Sequence, residues 1–153
     1  GSRAARIQIT TAGSNVQLYQ LGFPLEANTQ YTLRFDAYSN TGHDMAVILH
    51  QHVSPWTDYG ITNWVVDLLP GWNSYSLTFT TENFSGTVTD ARLRFWLAPY
   101  DANGDVYGID SVALFKGSGA PPVAPIVTVD PLPQPVNWDR RHPSPSPPPG
   151  RPP

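Results

Sequence analysis

Two segments of the sequence place aromatic, amide and guanidinium side chains on one face of a strand. In ARLRFWL, Arg92, Arg94 and Trp96 alternate with apolar residues, and in VQLYQ, Gln17 and Tyr19 do the same. Successive side chains of a β-strand point to opposite faces, so both polar sets are expected to face outward. Aromatic rings can lie against the apolar face of a sugar ring, while amides and guanidinium groups hydrogen bond its hydroxyls.

More aromatic residues lie in PWTDYGITNW, which the sequence predicts to be a loop. It contains Trp56, Tyr59 and Trp64, which are two of the 5 tryptophans and one of the 7 tyrosines of the chain. Trp56 is therefore a further candidate for ligand contact. Trp72 follows a Pro-Gly turn and is predicted to pack in the core or at a sheet edge.

Nearly every segment before Gly117 alternates with a period of two and is rich in β-branched and aromatic residues. Turn residues separate these segments, and Asn103-Gly104 predicts a type I′ hairpin turn. Short strands at this spacing, without helical periodicity, indicate an all-β antiparallel sandwich or barrel. In YTLRFDA, Tyr31, Leu33 and Phe35 are predicted to face the core.

The composition excludes several classes of function. The net charge is −3 with 14% charged residues, and no basic stripe is present that could neutralise nucleic-acid phosphates. A basic amphipathic helix for a membrane surface is also absent. There is no cysteine, which excludes disulfides and thiolate metal sites. The charge balance favours neutral or weakly charged partners.

The C-terminal part differs from the rest in composition. Most of the 17 prolines lie beyond residue 120, in a stretch that cannot build a core. The sequence therefore predicts one β-sandwich domain over residues 3–116, followed by a disordered Pro-rich linker over residues 117–153.

A catalytic role is weakly supported. Glycoside hydrolysis needs paired carboxylates, yet Glu26 and Glu82 are the only glutamates and both occupy turn-like segments. No G-x-S-x-G elbow occurs either. A structural or adhesion sandwich that binds another protein is the first alternative to ligand binding, and a glycoside hydrolase is the second.

Four stretches resemble the carbohydrate-binding modules of families four, nine and twenty-two. They are VQLYQLGFPLEANTQYTLRFDA, the PWTDYG loop, WNSYSLTFTT and ARLRFWLAPYDANGDVYGIDSVALF, in the family order. The resemblance implies a galactose-binding-like jelly roll. It also implies a secreted, extracellular module without catalytic activity, which binds xylan, β-glucan or amorphous cellulose and targets an attached glycoside hydrolase.

The resemblance also implies a set of binding residues. Strands at the positions of Gln17, of His50 and of Arg92 would line a cleft, and Trp56 with Tyr59 would match the loop that clamps the sugar. YTLRFDA would lie in the opposite sheet. The full predicted set is Gln17, Tyr19, His50, Trp56, Tyr59, Arg92, Arg94 and Trp96. Asp110, in IDSV, matches an aspartate that helps to hold a structural calcium in many members, and no other cofactor is implied.

The sequence departs from the family pattern at its start. Members usually begin with an Asn-Gly-x-Phe-Glu-like strand that supplies the other calcium carboxylate, and no such segment precedes RIQITT. An uncovered sheet edge invites pairing with another strand. We therefore expect a homodimer by strand exchange or a tail that folds back, for which Ile126–Val129 is the candidate strand.

Overall fold

The computed structural model describes residues 4–118, which form eight β-strands. The strands are β1 (Ala5–Gln8), β2 (Gln17–Glu26), β3 (Gln30–Ser39), β4 (Met45–Gln51), β5 (Asp58–Val66), β6 (Asn73–Thr80), β7 (Thr87–Trp96) and β8 (Val106–Lys116). Over this range no helix has the length and apolarity to cross a bilayer. The predicted linker and the Ile126–Val129 candidate strand lie outside the described residues, apart from Gly117 and Ser118.

The strands form two four-stranded antiparallel sheets. The first sheet has the order β1-β8-β3-β6 and the second the order β2-β7-β4-β5. Every connection except that between β4 and β5 crosses from one sheet to the other. This connectivity confirms the predicted β-sandwich and the jelly roll, and it places β3 in the sheet opposite β7.

Alternation along β3 explains how the core forms. Tyr31, Leu33 and Phe35 are buried between the sheets, as predicted, whereas Arg34 is only partly covered. Thr32 is buried as well, and its hydroxyl donates a hydrogen bond to the Gly117 carbonyl at 2.7 Å. The hydrogen bond satisfies a polar group that would otherwise be costly to bury.

Aromatic contacts join the two sheets at the centre of the core. The Phe35 ring of β3 meets Phe95 of β7 edge to face, with centroids 5.1 Å apart, and Trp64 of β5 at 5.7 Å. Edge-to-face pairs of this kind contribute about 0.5–1.5 kcal/mol beyond the area they bury. They fix the spacing of the second sheet, whose outer face carries the predicted ligand residues.

The predicted hairpin at Asn103-Gly104 is wrong, because β7 and β8 belong to different sheets. The segment between them is a crossing loop rather than a two-residue turn. Gly104 has a φ of +93°, and its N–H donates to the Ile9 carbonyl at 2.8 Å. Asn103 is not in the left-handed region, so that the predicted type I′ geometry is absent as well.

A buried carboxylate anchors this crossing loop. Asp105 is 1% exposed and accepts hydrogen bonds from the Thr41 hydroxyl at 2.9 Å and the Ala102 N–H at 2.8 Å. His43 Nδ1 lies 2.7 Å from the same carboxylate. Burial raises the pKa of Asp105, but the His43, Ala102 and Thr41 contacts outweigh it, so that the pKa is lowered.

Candidate functional site

A depression of about 380 Å³ lies on the outer face of the second sheet. β7 runs through the middle of this sheet, between β2 and β4, and its residues Arg92, Arg94 and Trp96 face away from the core. β4 and β5 supply the remaining walls, together with the segment that joins them. The lining residues are Ile48, His50, Trp56, Asp58, Thr62, Arg92 and Arg94.

Strand register brings the predicted residues of β2 beside those of β7. Tyr19 pairs with Arg94, and Gln17 pairs with Trp96. The Arg92 guanidinium carbon lies 4.1 Å from the centroid of the Tyr19 ring. That of Arg94 lies 4.6 Å from the centroid of the Trp96 ring. Both arginines are therefore held by cation–π contacts, worth about 0.5–2 kcal/mol each.

Gln17 also holds Arg92 in place. Arg92 Nη2 donates to Gln17 Oε1 at 2.7 Å, and Gln17 Nε2 in turn donates to Asn15 Oδ1. Gln17, Tyr19 and Trp96 thus lie beside the depression rather than in its lining. These three residues contribute to the depression indirectly, by holding Arg92 and Arg94 in position.

His50 lies at the floor of the depression as a neutral ring. Its side chain is 6% exposed, and its Nδ1 lies 2.5 Å from the Gln51 carbonyl. Burial, reinforced by the charges of Arg94 and Arg92, lowers the pKa of His50. Because Nδ1–H donates to the carbonyl, Nε2 carries a lone pair and is an acceptor.

Several buried polar atoms of this face have no hydrogen-bond partner among the described residues. An unsatisfied buried donor or acceptor costs about 1–3 kcal/mol. Each such atom calls for a partner from outside the described residues, and four of them lie on this one face. The atoms are His50 Nε2, Arg92 Nε, Arg94 Nε and Trp96 Nε1.

Trp56 is the most accessible aromatic residue of the site. It is 61% exposed and adopts a φ of +55°, in the left-handed region that non-glycine residues rarely occupy. A turn closed by the Trp56 N–H donating to the Val53 carbonyl at 2.8 Å holds it there. Strained backbone of this kind is common where a side chain is held for function.

The structure contradicts the predicted role of Tyr59. Tyr59 is 3% exposed, its ring contacts Phe84, and its hydroxyl donates to Asp90 Oδ1 at 3.0 Å. Burial and the Asp90 carboxylate raise its pKa to about 12. PWTDYGITNW is a loop only as far as residue 57, because β5 starts at Asp58 and turns Tyr59 into the core.

Three lining residues, Ile48, Asp58 and Thr62, were not among those predicted from the sequence. Asp58 accepts hydrogen bonds from the Gly60 N–H at 2.8 Å and from the Thr62 hydroxyl. A signal for them exists in the sequence. Ile48 is two residues from His50, and Asp58 and Thr62 alternate with Tyr59 and Ile61, as the outward positions of two strands.

The remaining predictions concern residues on the first sheet. Asp110 faces Asp36 across the β3–β8 pair, and its Oδ1 accepts from the Ser111 N–H at 2.7 Å. Residues 4–118 contain no cluster of three or more metal-ligating side chains, so that calcium at Asp110 stays a prediction without a ligand set. Trp72 stacks edge to face on Tyr38 at 4.8 Å but is 51% exposed.

Comparison with known proteins agrees with this arrangement. The family model described as "Carbohydrate binding domain", for modules four and nine, matches residues 1–102. The chain belongs to this family. No curated protein sequence matches it.

Solved structures of carbohydrate-binding modules share the fold. One described as "CBM4 structure and function" is 21% identical, with a TM-score of 0.62 over 74% of this chain and 82% of that one. The N-terminal cellulose-binding domain of β-1,4-glucanase C from Cellulomonas fimi is 21% identical, with a TM-score of 0.61 over 74% and 77%. A family 16 carbohydrate-binding module reaches 18% identity and a TM-score of 0.51, over 75% and 77% of the two chains.

Proposed function

We propose that this carbohydrate-binding module binds β-linked plant-type polysaccharide without cleaving it, with xylan, β-glucan and amorphous cellulose as the candidate ligands. The observation that carries the proposal is the depression on the second sheet, where an exposed Trp56 stands next to His50, Asp58 and two stacked arginines. The cellulose-binding domain with the same fold supports this choice of ligand class.

The geometry suggests a role for each lining group. The Trp56 ring offers a flat apolar face on which a pyranose ring can stack. The Asp58 carboxylate can accept hydrogen bonds from sugar hydroxyls, and the Arg94 guanidinium can donate to them. His50 Nε2 is an acceptor without a partner just beneath them. One platform with donors and acceptors beside it is the usual design of a small polar binding site.

The carboxylates favour binding over hydrolysis. Asp58 is the single carboxylate among the described lining residues, whereas glycosidases use two that flank the scissile bond. In this proposal the module directs an attached glycoside hydrolase to its substrate outside the cell. The Pro-rich segment 117–153 would then be the linker between them.

Affinity electrophoresis against xylan, mixed-linkage β-glucan, hydroxyethyl-cellulose and a mannan tests the proposal. We expect retardation by at least one glycan, at least tenfold weaker in Trp56→Ala. Trp72→Ala is the matched control, because Trp72 is a similarly exposed tryptophan that packs on Tyr38 of the first sheet. Equal loss in both variants would contradict the site. Free migration in every gel would contradict the function and favour a protein-binding sandwich.

We also propose that the module pairs with a second copy through β8. On the outer edge of β8, β1 pairs only with Val106–Ile109, and no other described strand pairs with Asp110–Lys116 on that side. An apolar groove of about 550 Å³ opens there between β8 and β2, and Val112 at its border is 45% exposed. Unpaired edges of this kind favour strand addition.

Light scattering after size-exclusion chromatography measures this association directly. A homodimer would have twice the 16.8 kDa mass of the chain. A monomeric mass at the highest attainable concentration would contradict it. Polysaccharide binding by the monomer would leave the first proposal intact.

A further inference from the structure

The arginine pair gives the depression a charge that the chain as a whole does not have. The net charge of the protein is −3, yet Arg92 and Arg94 line the same depression against one carboxylate, that of Asp58. Both are only partly exposed. Two like charges held this close repel each other in a medium less polar than water.

The one carboxylate of the depression, that of Asp58, leaves an excess of one positive charge and forms no ion pair with either arginine. Asp58 accepts hydrogen bonds from Gly60 and Thr62 instead, and Asp90, on the same strand as the arginines, accepts from Tyr59 and Gln51. Neither arginine forms an ion pair within residues 4–118. A partly buried cation without a counter-charge is unfavourable, and a bound anion would relieve it.

The aromatic rings beside the arginines are occupied. Arg92 covers a face of Tyr19, and Arg94 covers a face of Trp96. These rings therefore orient guanidinium groups, and Trp56 is left as the open stacking surface. Burial and the charge of Arg92 lower the pKa of Arg94. Arg94 donates no hydrogen bond to any described group. Arg94 lines the depression, where a ligand can contact it.

We propose that Arg92 and Arg94 bind a carboxylate, so that the module selects β-linked polysaccharides that carry uronic acid groups. The inference rests on the proposed function and specifies its ligand. A neutral hydroxyl can accept a hydrogen bond from a guanidinium group but cannot cancel its charge. A carboxylate does both, and its two oxygens match the fork of an arginine.

The experiment compares one polymer in two chemical states. A xylan with glucuronic acid side groups is titrated by calorimetry before and after its carboxyl groups are reduced to alcohols, which leaves the backbone unchanged. We expect at least tenfold tighter binding of the acidic polymer at low salt. The preference should shrink as salt is added, because salt screens the charges.

Arginine variants test whether the preference for the acidic polymer depends on Arg92 and Arg94. In Arg92→Gln and Arg94→Gln we expect affinity for the two polymers to become equal within about threefold, while Arg94→Lys keeps part of the preference through its charge. Arg34→Gln is the matched control, since it removes the same charge from the first sheet. Near-ultraviolet circular dichroism checks that every variant is folded.

Each other outcome overturns the inference. Equal affinity of the wild-type protein for both polymers would contradict the carboxylate site and leave the proposed function standing. An unchanged preference in both glutamine variants would place the charge recognition elsewhere. No binding to either polymer or to any neutral glycan would contradict the proposed function as well.

Discussion

At the scale of the residue, the site depends on polar groups whose state is set by their neighbours. His50 illustrates this, because its position two residues from Ile48 indicates the outward face, while its chemistry follows from the packing around it. Burial and the two arginines keep the ring neutral, and the Gln51 carbonyl fixes the proton on Nδ1. The sequence could suggest the residue but not the tautomer.

The lowered pKa of His50 predicts how stability depends on pH. The unfolded chain takes up a proton below about pH 6.5, whereas the native ring binds one only at lower pH. The native state therefore keeps this contribution to stability above pH 6.5 and loses it progressively as the pH falls toward the native pKa of His50.

Urea unfolding between pH 7.5 and 5 tests this in the wild type and in His50→Gln. Glutamine does not titrate, so we expect the variant to lose less stability in acid than the wild type. The difference between the two pH profiles isolates His50 from the other titrating groups. Superimposable profiles would contradict the account of a neutral, buried ring.

At the scale of the element, strand segments with a plain alternation are predictable from the sequence, whereas the first half of β5 is not. β2 and β7 alternate through their outward residues, so that Gln17, Tyr19 and the arginines could be assigned to one face. β5 contains a bulge, since Val47 pairs with Trp64 but Leu49 pairs with Ile61. The extra residue changes which positions face inward, so that the sequence predicts a strand only from Trp64 onward and a loop before it.

The missed strand explains the error at Tyr59. Tyr59 and Ile61 are buried before the bulge, while after it Val66 is buried and Trp64 packs against the core partly buried. An alternation with a period of two fits either half of β5 but not the whole strand. The glycine at position 60 adds to the appearance of a loop, although it is required there, because a Cβ would lie 2.5 Å from the Thr80 carbonyl oxygen.

The loop that crosses from β7 to β8 should depend on the buried carboxylate of Asp105. We expect Asp105→Asn to lower the free energy of unfolding by about 2–3 kcal/mol, because the amide cannot satisfy the His43, Thr41 and Ala102 donors together. Denaturant unfolding at pH 7 measures the loss.

A neighbouring aspartate provides the matched control. Asp101 Oδ2 is buried without a hydrogen-bond partner among the described residues, so that Asp101→Asn should cost less than about 1 kcal/mol. Equal losses in the two variants would contradict the anchoring role of Asp105.

At the scale of the whole molecule, the jelly roll separates stability from recognition. The core lies between the sheets, whereas the predicted ligand residues other than Tyr59 lie on or beside the outer face of the second sheet. Composition described the molecule correctly as weakly acidic. It could not show that two arginines share one depression, because local charge depends on which strands pair.

The most direct test of the central claim follows the tryptophan indole N–H signals by nuclear magnetic resonance while a soluble β-linked oligosaccharide is added. The chain has 5 tryptophans, and each reports on a different position. We expect saturable shifts of the Trp56 and Trp96 signals, assigned through single substitutions, with the Trp72 signal unchanged. Saturable shifts of Trp72 with Trp56 and Trp96 unmoved would contradict the assignment of the binding site to the second sheet.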